Sequence, residues 1–564
     1  MAANTINNVL RNLTLSYLSE IRRQPSLPDA KTIEFELLQN ITDAFKTHNK
    51  MQDDGSTKWK IPQTLHFSQI ADIMAQLHPI CTINTSGQNK NTEYNILAVY
   101  QDEGPNKGIY VTDEDTFRQI AEQYNYQLTT HEFNECMSRL RTLVPKRELT
   151  RKRNLIAVNN GIFDYDTKEL LPFSSDYVFT SKSRINYNPL AKNVTLHNPD
   201  DGTDWDVESW MNTLSDDPEV VDLLWQILGA IVRPNVAWNK SAWFYSESGN
   251  NGKGTLCELM RQLCGEGTYT SIPLSHMSSD FMLEPLIHAS AIIVDENDVG
   301  TFIDKAANLK AIITNDVIQI NRKYKQPIAY RFYGFMVQCL NEMPRIRDKS
   351  DSFFRRQLFI PFTKCFTGKE RKYIKHDYLH RQEVLEYVLY RVLNMNYYTL
   401  ATPKSCEDAL DEYKSFNDPI RGFAEEILPQ CNWDFLPYKF LYDMYLSWFK
   451  KNSPSGTALS EPSFRNDLKR AISNEPNWLA FDQQKRVGTQ MDSMEPLLDE
   501  YGLVDWMNPN FVTSDKRIKN TDLAKQKDRC TPTPDQFRGR RFRGGLIRTT
   551  TAVTTEETAE EETT

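Results

Sequence analysis

The sequence lacks a long hydrophobic run. No stretch approaches the roughly 18 apolar residues that a membrane-spanning helix needs. The amino-terminal segment, MAANTINNVLRNLTLSYLSEIRRQ, contains no continuous apolar stretch that would mark a secretory signal. We therefore expect a soluble cytoplasmic protein with no membrane partner.

The sequence also lacks clustered cysteines. Its nine cysteines are scattered, and the closest pair is Cys257 and Cys264. This spacing gives neither a close-spaced zinc motif nor a disulfide framework. A reducing compartment fits this pattern best.

The sequence also lacks an excess of basic residues, since its formal net charge is -9. That value argues only weakly against nucleic-acid binding, since the charge is unevenly placed. Five of the acids lie in the terminal tail, as Glu556, Glu557, Glu560, Glu561 and Glu562, whereas the segment before it, QFRGRRFRGGLIRTTT, holds five arginines and no acid.

One segment that is present has the character of a phosphate-binding loop. SAWFYS predicts a strand, ESGNNGKG a turn and TLCELMRQL a helix. Backbone N–H groups at such a helix start converge on phosphate oxygens, and a lysine neutralises their charge. Compared with G-x-x-x-x-G-K-[ST], however, Glu247 replaces the first glycine and Gly254 replaces the hydroxyl residue that binds magnesium. The alternative is a polar turn with an incidental lysine. If the segment is a phosphate-binding loop, the nucleotide-binding candidates are Ser248, Gly249, Asn250, Asn251, Gly252, Lys253, Gly254 and Thr255.

Two later apolar runs end in polar residues. SAIIVDEN delivers Asp295 and Glu296 about forty residues after Lys253. The first acid can hold magnesium, and the second can orient and deprotonate the water that attacks the γ-phosphate. GFMVQCL then delivers Asn341, whose amide can hold that water or sense the γ-phosphate. Taken singly, each could instead be an ordinary surface turn.

A pair of arginines precedes a fourth apolar run. SDSFFRRQLFIPF places Arg355 and Arg356 there. An arginine offered across a subunit boundary can stabilise transition-state charge in a ring ATPase. A salt-bridged pair is the alternative.

Together these motifs resemble the phage and plasmid replication helicase family, part of helicase superfamily 3 and often found as the carboxyl-terminal half of phage primase-helicases. Residues from about 95 to 480 carry the resemblance, through NLIAVNNGIFDYDTKELLPFSSDY, SGNNGKGT, AIIVDEN, NEMPRI and DSFFRRQLFIPF. The family is related to the poxvirus helicase-primase. The resemblance implies a ring-forming AAA+ ATPase, usually hexameric, that uses ATP to move along single-stranded DNA and unwind the duplex. It also implies a bacterial host cytoplasm.

The resemblance bears on the missing hydroxyl as well. In that family an Asn-Gly-Lys core followed by Gly-Thr is an accepted variant, so the departure at Gly254 carries less weight. Our hypothesis is that Mg²⁺ is held by Asp295, water and the nucleotide phosphates, with Thr255 assisting.

The predicted fold class is α/β, with an AAA+ P-loop core between a mixed α/β module and a winged-helix-like domain. The predicted divisions are a mostly helical region of unknown role at 1–90, the mixed module at 91–205, the superfamily 3 core at 206–395, the winged-helix-like domain at 396–515, and a basic arm with a disordered acidic tail at 516–564.

Three basic segments are candidates for DNA contact. DVIQINRKYKQPIAYRF predicts a β-hairpin in the position of the channel hairpin of superfamily 3 helicases, and its alternative is a solvated tip. A helix pair near 438–472 would place a second helix in a groove, unless it serves packing or partner contacts. RGRRFRG predicts either a β-hairpin wing or a flexible arm. The candidates are Arg322, Lys323, Tyr324, Lys325, Arg465, Lys469, Arg540 and Arg541.

Two functions fit these motifs. The first is a replicative helicase acting on single-stranded and forked DNA, with a separate primase or other replication protein as a further partner. The second is an origin-binding initiator or loader that uses ATP hydrolysis as a switch. The first 90 residues show no spaced set of carboxylates of the kind that primase chemistry needs, so we do not expect priming there.

Overall fold

The computed structural model describes residues 5–52, 58–84, 95–279, 281–323, 325–452, 458–473, 475–510 and 523–549. The chain divides into two compact units, Met1–Leu410 and Asp411–Thr564. Helices and strands occur in both units, which confirms the predicted α/β class. Among the described residues, no helix combines the length and the apolar character needed to cross a bilayer.

The first unit begins with five helices and a four-stranded sheet that share one core. The helices are α1 (Ile6–Ile21), α2 (Ala30–Lys50), α3 (Phe67–Leu77), α4 (Glu114–Glu122) and α5 (Thr130–Leu143). The strands are β1 (Ile80–Asn84), β2 (Ile96–Tyr100), β3 (Tyr110–Val111) and β4 (Lys146–Glu148), in the order β3-β2-β1-β4. Because β1 and β2 pair antiparallel, the predicted division near residue 90 falls between two paired strands of one sheet.

A small meander and two helices lead from this part to the main sheet. They are β5 (Leu155–Val158), β6 (Gly161–Asp164), β7 (Glu169–Leu171), β8 (Leu196–His197), β9 (Asp204–Trp205), α6 (Val207–Asn212) and α7 (Pro218–Val232). Helix α7 begins at Pro218, and the Asp217 carboxylate caps it by accepting from the Glu219 N–H.

The rest of the first unit is built around a parallel sheet. The strands in this part of the chain are β10 (Ser241–Tyr245), β11 (Tyr269–Thr270), β12 (Ala291–Val294), β13 (Phe302–Ile303), β14 (Val317–Arg322), β15 (Lys325–Arg331), β16 (Phe335–Leu340), β17 (Arg345–Ile346) and β18 (Gln357–Pro361). Its helices are α8 (Lys253–Cys264), α9 (Ala307–Ile313), α10 (Asp351–Phe354), α11 (Lys372–His376), α12 (Gln382–Asn394) and α13 (Lys404–Asn417), whose last residues belong to the second unit.

The main sheet has the order β11-β12-β16-β10-β18, and every pair in it is parallel. All residues of β12 and β16 are buried. Strands covered on both faces read as continuous apolar runs, which is why the sequence shows no alternation there. Because the strands are parallel, the carboxyl ends of β10, β12 and β16 meet at one edge.

A hairpin projects from the segment between β12 and β16. Strands β14 and β15 pair antiparallel from Val317 and Arg331 to Arg322 and Lys325 next to the turn. The predicted strand, basic turn and strand are therefore confirmed as local structure. Tyr324 and the side chain of Lys325 lie outside the described part of the chain.

The second unit combines helices with a three-stranded antiparallel sheet. Its elements are α14 (Pro419–Ile427), β19 (Phe435–Pro437), α15 (Tyr438–Asn452), α16 (Glu461–Ala471), β20 (Trp478–Arg486), α17 (Leu497–Glu500), α18 (Leu523–Cys530), α19 (Pro534–Phe537) and β21 (Arg541–Arg548). The sheet order is β19-β21-β20, so the basic segment is the central strand and not a flexible arm. The predicted division at 515/516 thus cuts β21 from its own sheet, and the predicted acidic tail lies outside the described residues.

Candidate nucleotide-binding site

The loop between β10 and α8 turns through two left-handed residues. Asn250 has a φ of 54° and Gly252 a φ of 88°. A Cβ added to Gly252 would lie 2.7 Å from Cδ2 of Leu214, so both the backbone conformation and the available space favour glycine. The loop therefore leads into the start of α8, where backbone N–H groups have no partner within the helix.

Side-chain amides hold this loop in shape. The backbone N–H of Lys253 donates to Oδ1 of Asn251 over 3.2 Å, and Nδ2 of Asn251 donates to the carbonyl of Ser248. Nδ2 of Asn250 donates to Oε1 of Glu370 over 2.9 Å. The backbone N–H of Phe366 donates to the Asn250 carbonyl over 2.7 Å. Residues after β18 thus support the turn together with the loop's own amides.

Lys253 lies at the first residue of α8 and points back to the strand ends. Its Nζ donates to the carbonyls of Ser246 and Leu340, over 3.3 and 3.2 Å, and to Oδ1 of Asn341 over 3.0 Å. Burial lowers the pKa of this amine. The structure therefore brings together Lys253 and Asn341, which lie 88 positions apart in the sequence.

Asp295 occupies the space beside Gly254. A Cβ built on Gly254 would lie 2.9 Å from Oδ1 and 3.2 Å from Oδ2 of Asp295. Gly254 has no positive φ, so the limit at this position is space and not backbone conformation. A serine or threonine here would press on the carboxylate, which gives a physical reason for the departure from the usual motif.

Three further polar residues surround the acids, and the sequence-based predictions did not include them. Nη1 of Arg261 and Nζ of Lys375 lie 3.8 and 3.9 Å from Oδ2 of Asp295. Asn297 is buried, accepts from the Leu274 N–H and donates to the carbonyl of Cys339, so it ties the segment after β12 to β16. Only its place next to the acids in VDEN could have drawn attention to Asn297.

Glu296 is exposed at the same edge, and Thr255 is half-buried in the first turn of α8. Thr255 also lines a cleft of about 730 Å³ that runs along the loop. Trp205, Trp210 and Phe366 contribute aromatic surface to this cleft. The site therefore offers a polar end at the loop and an apolar end beside it.

The two predicted arginines lie at the opposite edge of the sheet. Ser241, the first residue of β10, pairs with Gln357, the first residue of β18, so Arg355 and Arg356 precede the strand at its amino end. The five residues of β10 separate that end from the loop, which is roughly 16 Å at about 3.3 Å per residue. Arg355 is exposed, and Arg356 donates to the Ser352 carbonyl. The structure does not place this pair with Lys253.

In the hairpin, Lys323 is exposed next to the turn, whereas Arg322 is half-buried and burial lowers its pKa. The candidates of α16 lie in ion pairs instead. Arg465 pairs with Glu461, and Lys469 pairs with Asp482 over 2.5 Å.

The second unit also carries a basic surface along β20 and β21. Arg540 and Arg541 are exposed, and Arg541 pairs with Arg486 in the ladder. Arg486 and Arg543 are exposed on the same two strands and were not among the predicted residues. The run QQKR was the available signal for Arg486, and Arg543 lies within the basic segment RGRRFRG.

Family models match three segments of the chain. Residues 42–216 match a model described as D5 N terminal like. Residues 415–499 match one described as Poxvirus D5 protein-like. The loop, the acids and Asn341 lie within residues 244–356, which match a family of unknown function, DUF5906.

Solved structures show only a distant likeness. The apo structure of the NrS-1 C-terminal region is 13% identical, with a TM-score of 0.39, over 75% of this chain and 97% of that chain. An A-form apo structure of the same region is 12% identical, with a TM-score of 0.36, over 74% of this chain and 88% of that chain.

The two D5 matches fall on both sides of the candidate site, at residues 42–216 and 415–499. They confirm the resemblance seen in the sequence motifs, because over these residues the chain is similar to the poxvirus D5 proteins.

Proposed function

We propose that the chain is an ATP-dependent DNA helicase that acts in the replication of a phage or other mobile element. One observation carries this proposal: β10, β12 and β16 end at the same edge of a parallel sheet, where Lys253, Asp295 and Asn341 stand beside a helix start. This is the arrangement that phosphoryl transfer needs, with a lysine for the phosphates, an acid for magnesium and an amide for the attacking water. The D5 family relation supports the role in replication.

In this proposal the loop from Ser248 to Thr255 holds the phosphates of ATP, and Lys253 exchanges its contacts with backbone carbonyls for phosphate oxygens. Asp295 is the protein ligand for Mg²⁺, because its carboxylate stands where a side chain at Gly254 would otherwise be. Thr255 assists from the next position. The ion itself neutralises charge on the phosphates.

Glu296 is the proposed base for the attacking water, and Asn341 is the proposed group that orients it. Glu296 is exposed at the strand end, where water has access. Asn341 is already fixed by its contact with Lys253. The aromatic end of the cleft suits the nucleoside part of ATP.

The position of Arg355 and Arg356 supports a ring. Both residues precede β18 at the edge away from the loop, so they are badly placed for the nucleotide of their own chain. An arginine supplied by a neighbouring subunit stabilises charge in the transition state of related NTPases. We therefore propose a ring, a hexamer by analogy with the family, in which each arginine pair serves the next subunit.

Two regions are proposed to contact DNA. Lys323 lies next to the turn of the β14–β15 hairpin, where it can meet backbone phosphates in a central channel. The second unit has the element order α14, β19, α15, α16, β20 and β21, with β21 between the other two strands. This order supports a winged-helix-like domain, with β20 and β21 as a basic wing.

The runner-up function is an ATP-switched initiator or loader, and the exposed arginines of β20 and β21 favour it. A strand-displacement assay on forked DNA separates the two functions. We expect ATP-dependent unwinding by the wild-type protein, none by Lys253→Ala, and a strong loss for Lys323→Ala with ATP hydrolysis retained. Lys192→Ala is the control, because Lys192 is exposed and belongs to none of the motifs. Origin binding and ATP hydrolysis without any strand displacement would replace the helicase with the initiator.

A further inference from the structure

Two buried thiols lie directly behind the acid proposed to hold magnesium. Cys257 is on α8, one turn after Lys253, and Cys339 is on β16, two residues before Asn341. Both side chains are buried, and their sulfur atoms are 3.3 Å apart. A carboxylate oxygen of Asp295 completes a group in which all three ligand atoms lie within 4.8 Å of one another.

The spacing of these atoms is close to what a soft divalent cation requires. Zinc binds thiolate sulfur at about 2.3 Å and carboxylate oxygen at about 2.0–2.2 Å. Two sulfurs on one tetrahedral zinc ion are then roughly 3.8 Å apart. The pair Cys257 and Cys339 would have to open by only about 0.5 Å from the observed 3.3 Å.

The surrounding positive charges disfavour a divalent cation that is held by Asp295 alone. Arg261 and Lys375 lie 3.8 and 3.9 Å from Asp295, so a single carboxylate in this setting is a weak ligand set by itself. Two thiolates would add the negative charge that offsets these cations. Thiolate ligands favour zinc or cadmium over magnesium, which takes oxygen ligands.

The approach to the group is from the nucleotide side. The Asp295 side chain is 35% exposed, whereas both cysteines are closed off by the core. An ion would therefore meet Asp295 first and then the sulfurs behind it. While the Asp295 carboxylate binds that ion, it is not available to bind Mg²⁺ beside the nucleotide.

We propose that Cys257, Cys339 and Asp295 form a binding site for a soft divalent cation such as Zn²⁺, and that its occupation withdraws Asp295 from the magnesium site. The first half of this inference stands on the three ligand atoms alone. The second half rests on the proposed ATPase function, since only there does Asp295 have a magnesium ion to lose. Zinc is thus an inhibitor that competes with magnesium at one carboxylate.

Cadmium is the probe for the first half, added to the reduced full-length chain without nucleotide. We expect one Cd²⁺ per chain, with an ultraviolet thiolate-to-metal band that is lost in Cys257→Ser and in Cys339→Ser. Asp295→Asn should retain the band and bind at least about tenfold more weakly. Cys264→Ser is the matched control, because Cys264 is buried on the same helix as Cys257 and lies outside the group. A band that survives both serine substitutions, or the absence of any band from the wild type, overturns the site.

X-ray absorption of the zinc-loaded wild type covers the case in which a serine variant does not fold. Two sulfur ligands on the ion are expected, and a shell of nitrogen and oxygen alone overturns the proposal.

For the second half, Zn²⁺ is titrated into an ATPase assay at fixed Mg²⁺, and each variant is compared with its own zinc-free rate. We expect Zn²⁺ to inhibit the wild type and Cys264→Ser, and we expect more Mg²⁺ to relieve that inhibition. Cys257→Ser should not be inhibited. Equal inhibition of all three proteins would contradict the withdrawal of Asp295. A protein that binds cadmium as expected but hydrolyses no ATP would refute the proposed function and leave the cation site standing.

Discussion

The two edges of the main sheet, at the carboxyl and the amino ends of its strands, differ in the proposed catalytic residues that they carry. At the carboxyl edge, Lys253 is fixed by three oxygen partners and Asp295 stands against Gly254. At the amino edge, Arg355 and Arg356 stand alone among the proposed catalytic residues, the length of β10 away. One chain thus brings together the groups proposed to bind phosphate, magnesium and water, whereas its two arginines lie at the other end of the strands. In our proposal, this difference means that catalysis is shared between neighbouring copies.

The largest expected effect is at the amino edge. Replacing Arg355 and Arg356 together by alanine should lower the rate of ATP hydrolysis by about 10³-fold or more, the usual value of an arginine supplied in trans. Because the pair is remote from the loop of its own chain, the affinity for a fluorescent ATP analogue should change far less. Steady-state ATPase rates and equilibrium binding measure the two quantities.

Lys192→Ala is the control for that variant. A parallel loss of nucleotide affinity and hydrolysis in the arginine variant would mean that the pair supports the fold around the loop. The distance between the arginines and the loop would then not indicate a catalytic role in a neighbouring subunit.

The next effect concerns the carboxyl edge. Gly254→Ser restores the usual motif residue, yet we expect it to weaken magnesium use, because the added Cβ would stand 2.9 Å from Oδ1 of Asp295. The Asp295 carboxylate would have to shift to admit this Cβ, so the Mg²⁺ concentration for half-maximal hydrolysis should rise by up to about tenfold, which corresponds to about 1.4 kcal/mol. A magnesium titration of the ATPase rate measures it.

Gly249→Ser is the matched variant in the same loop, because a Cβ there meets no atom within 4 Å. Its effect on the magnesium dependence should be smaller. If Gly254→Ser instead lowers the magnesium requirement, a hydroxyl is the better ligand and Asp295 does not replace it.

The smallest effect at this edge is expected for Thr255→Ala. An assisting hydroxyl contributes about one hydrogen bond, roughly 0.5–1.5 kcal/mol, which corresponds to about a two- to tenfold change in the magnesium requirement. The same titration serves, with Thr213→Ala as the control, since Thr213 lines the same cleft outside the loop. An unchanged magnesium dependence would remove Thr255 from the site.

Local patterns in the sequence predicted the elements of this sheet well. The apolar runs before the loop, the acids and Asn341 are β10, β12 and β16, and the run after the arginines is β18, because strands buried on both faces leave a continuous apolar signal. The helix after the loop and the basic hairpin were also predicted from local patterns, namely the helical spacing of apolar residues and a basic turn between two strand-like segments. These predictions depended only on neighbours in the sequence.

What the sequence did not reveal depends on distant contacts. The reason for Gly254 is the carboxylate of Asp295, about forty positions away, and the loop is held by Glu370 from beyond β18. Likewise, β21 enters the sheet between β19 and β20, although more than fifty residues separate it from β20. Such contacts leave no periodic signal. The ion pair that Lys469 forms with Asp482 was hidden for the same reason.

A mixing experiment tests the central claim most directly. Lys253→Ala and the double variant Arg355→Ala, Arg356→Ala are each inactive by themselves in this account. When they are combined, some interfaces join an intact lysine of one subunit to an intact arginine pair of its neighbour. We predict that ATP hydrolysis returns in the mixture. If the mixture is as inactive as the separate variants, although the subunits are shown to exchange, the arginines do not act across a subunit boundary and the shared site is refuted.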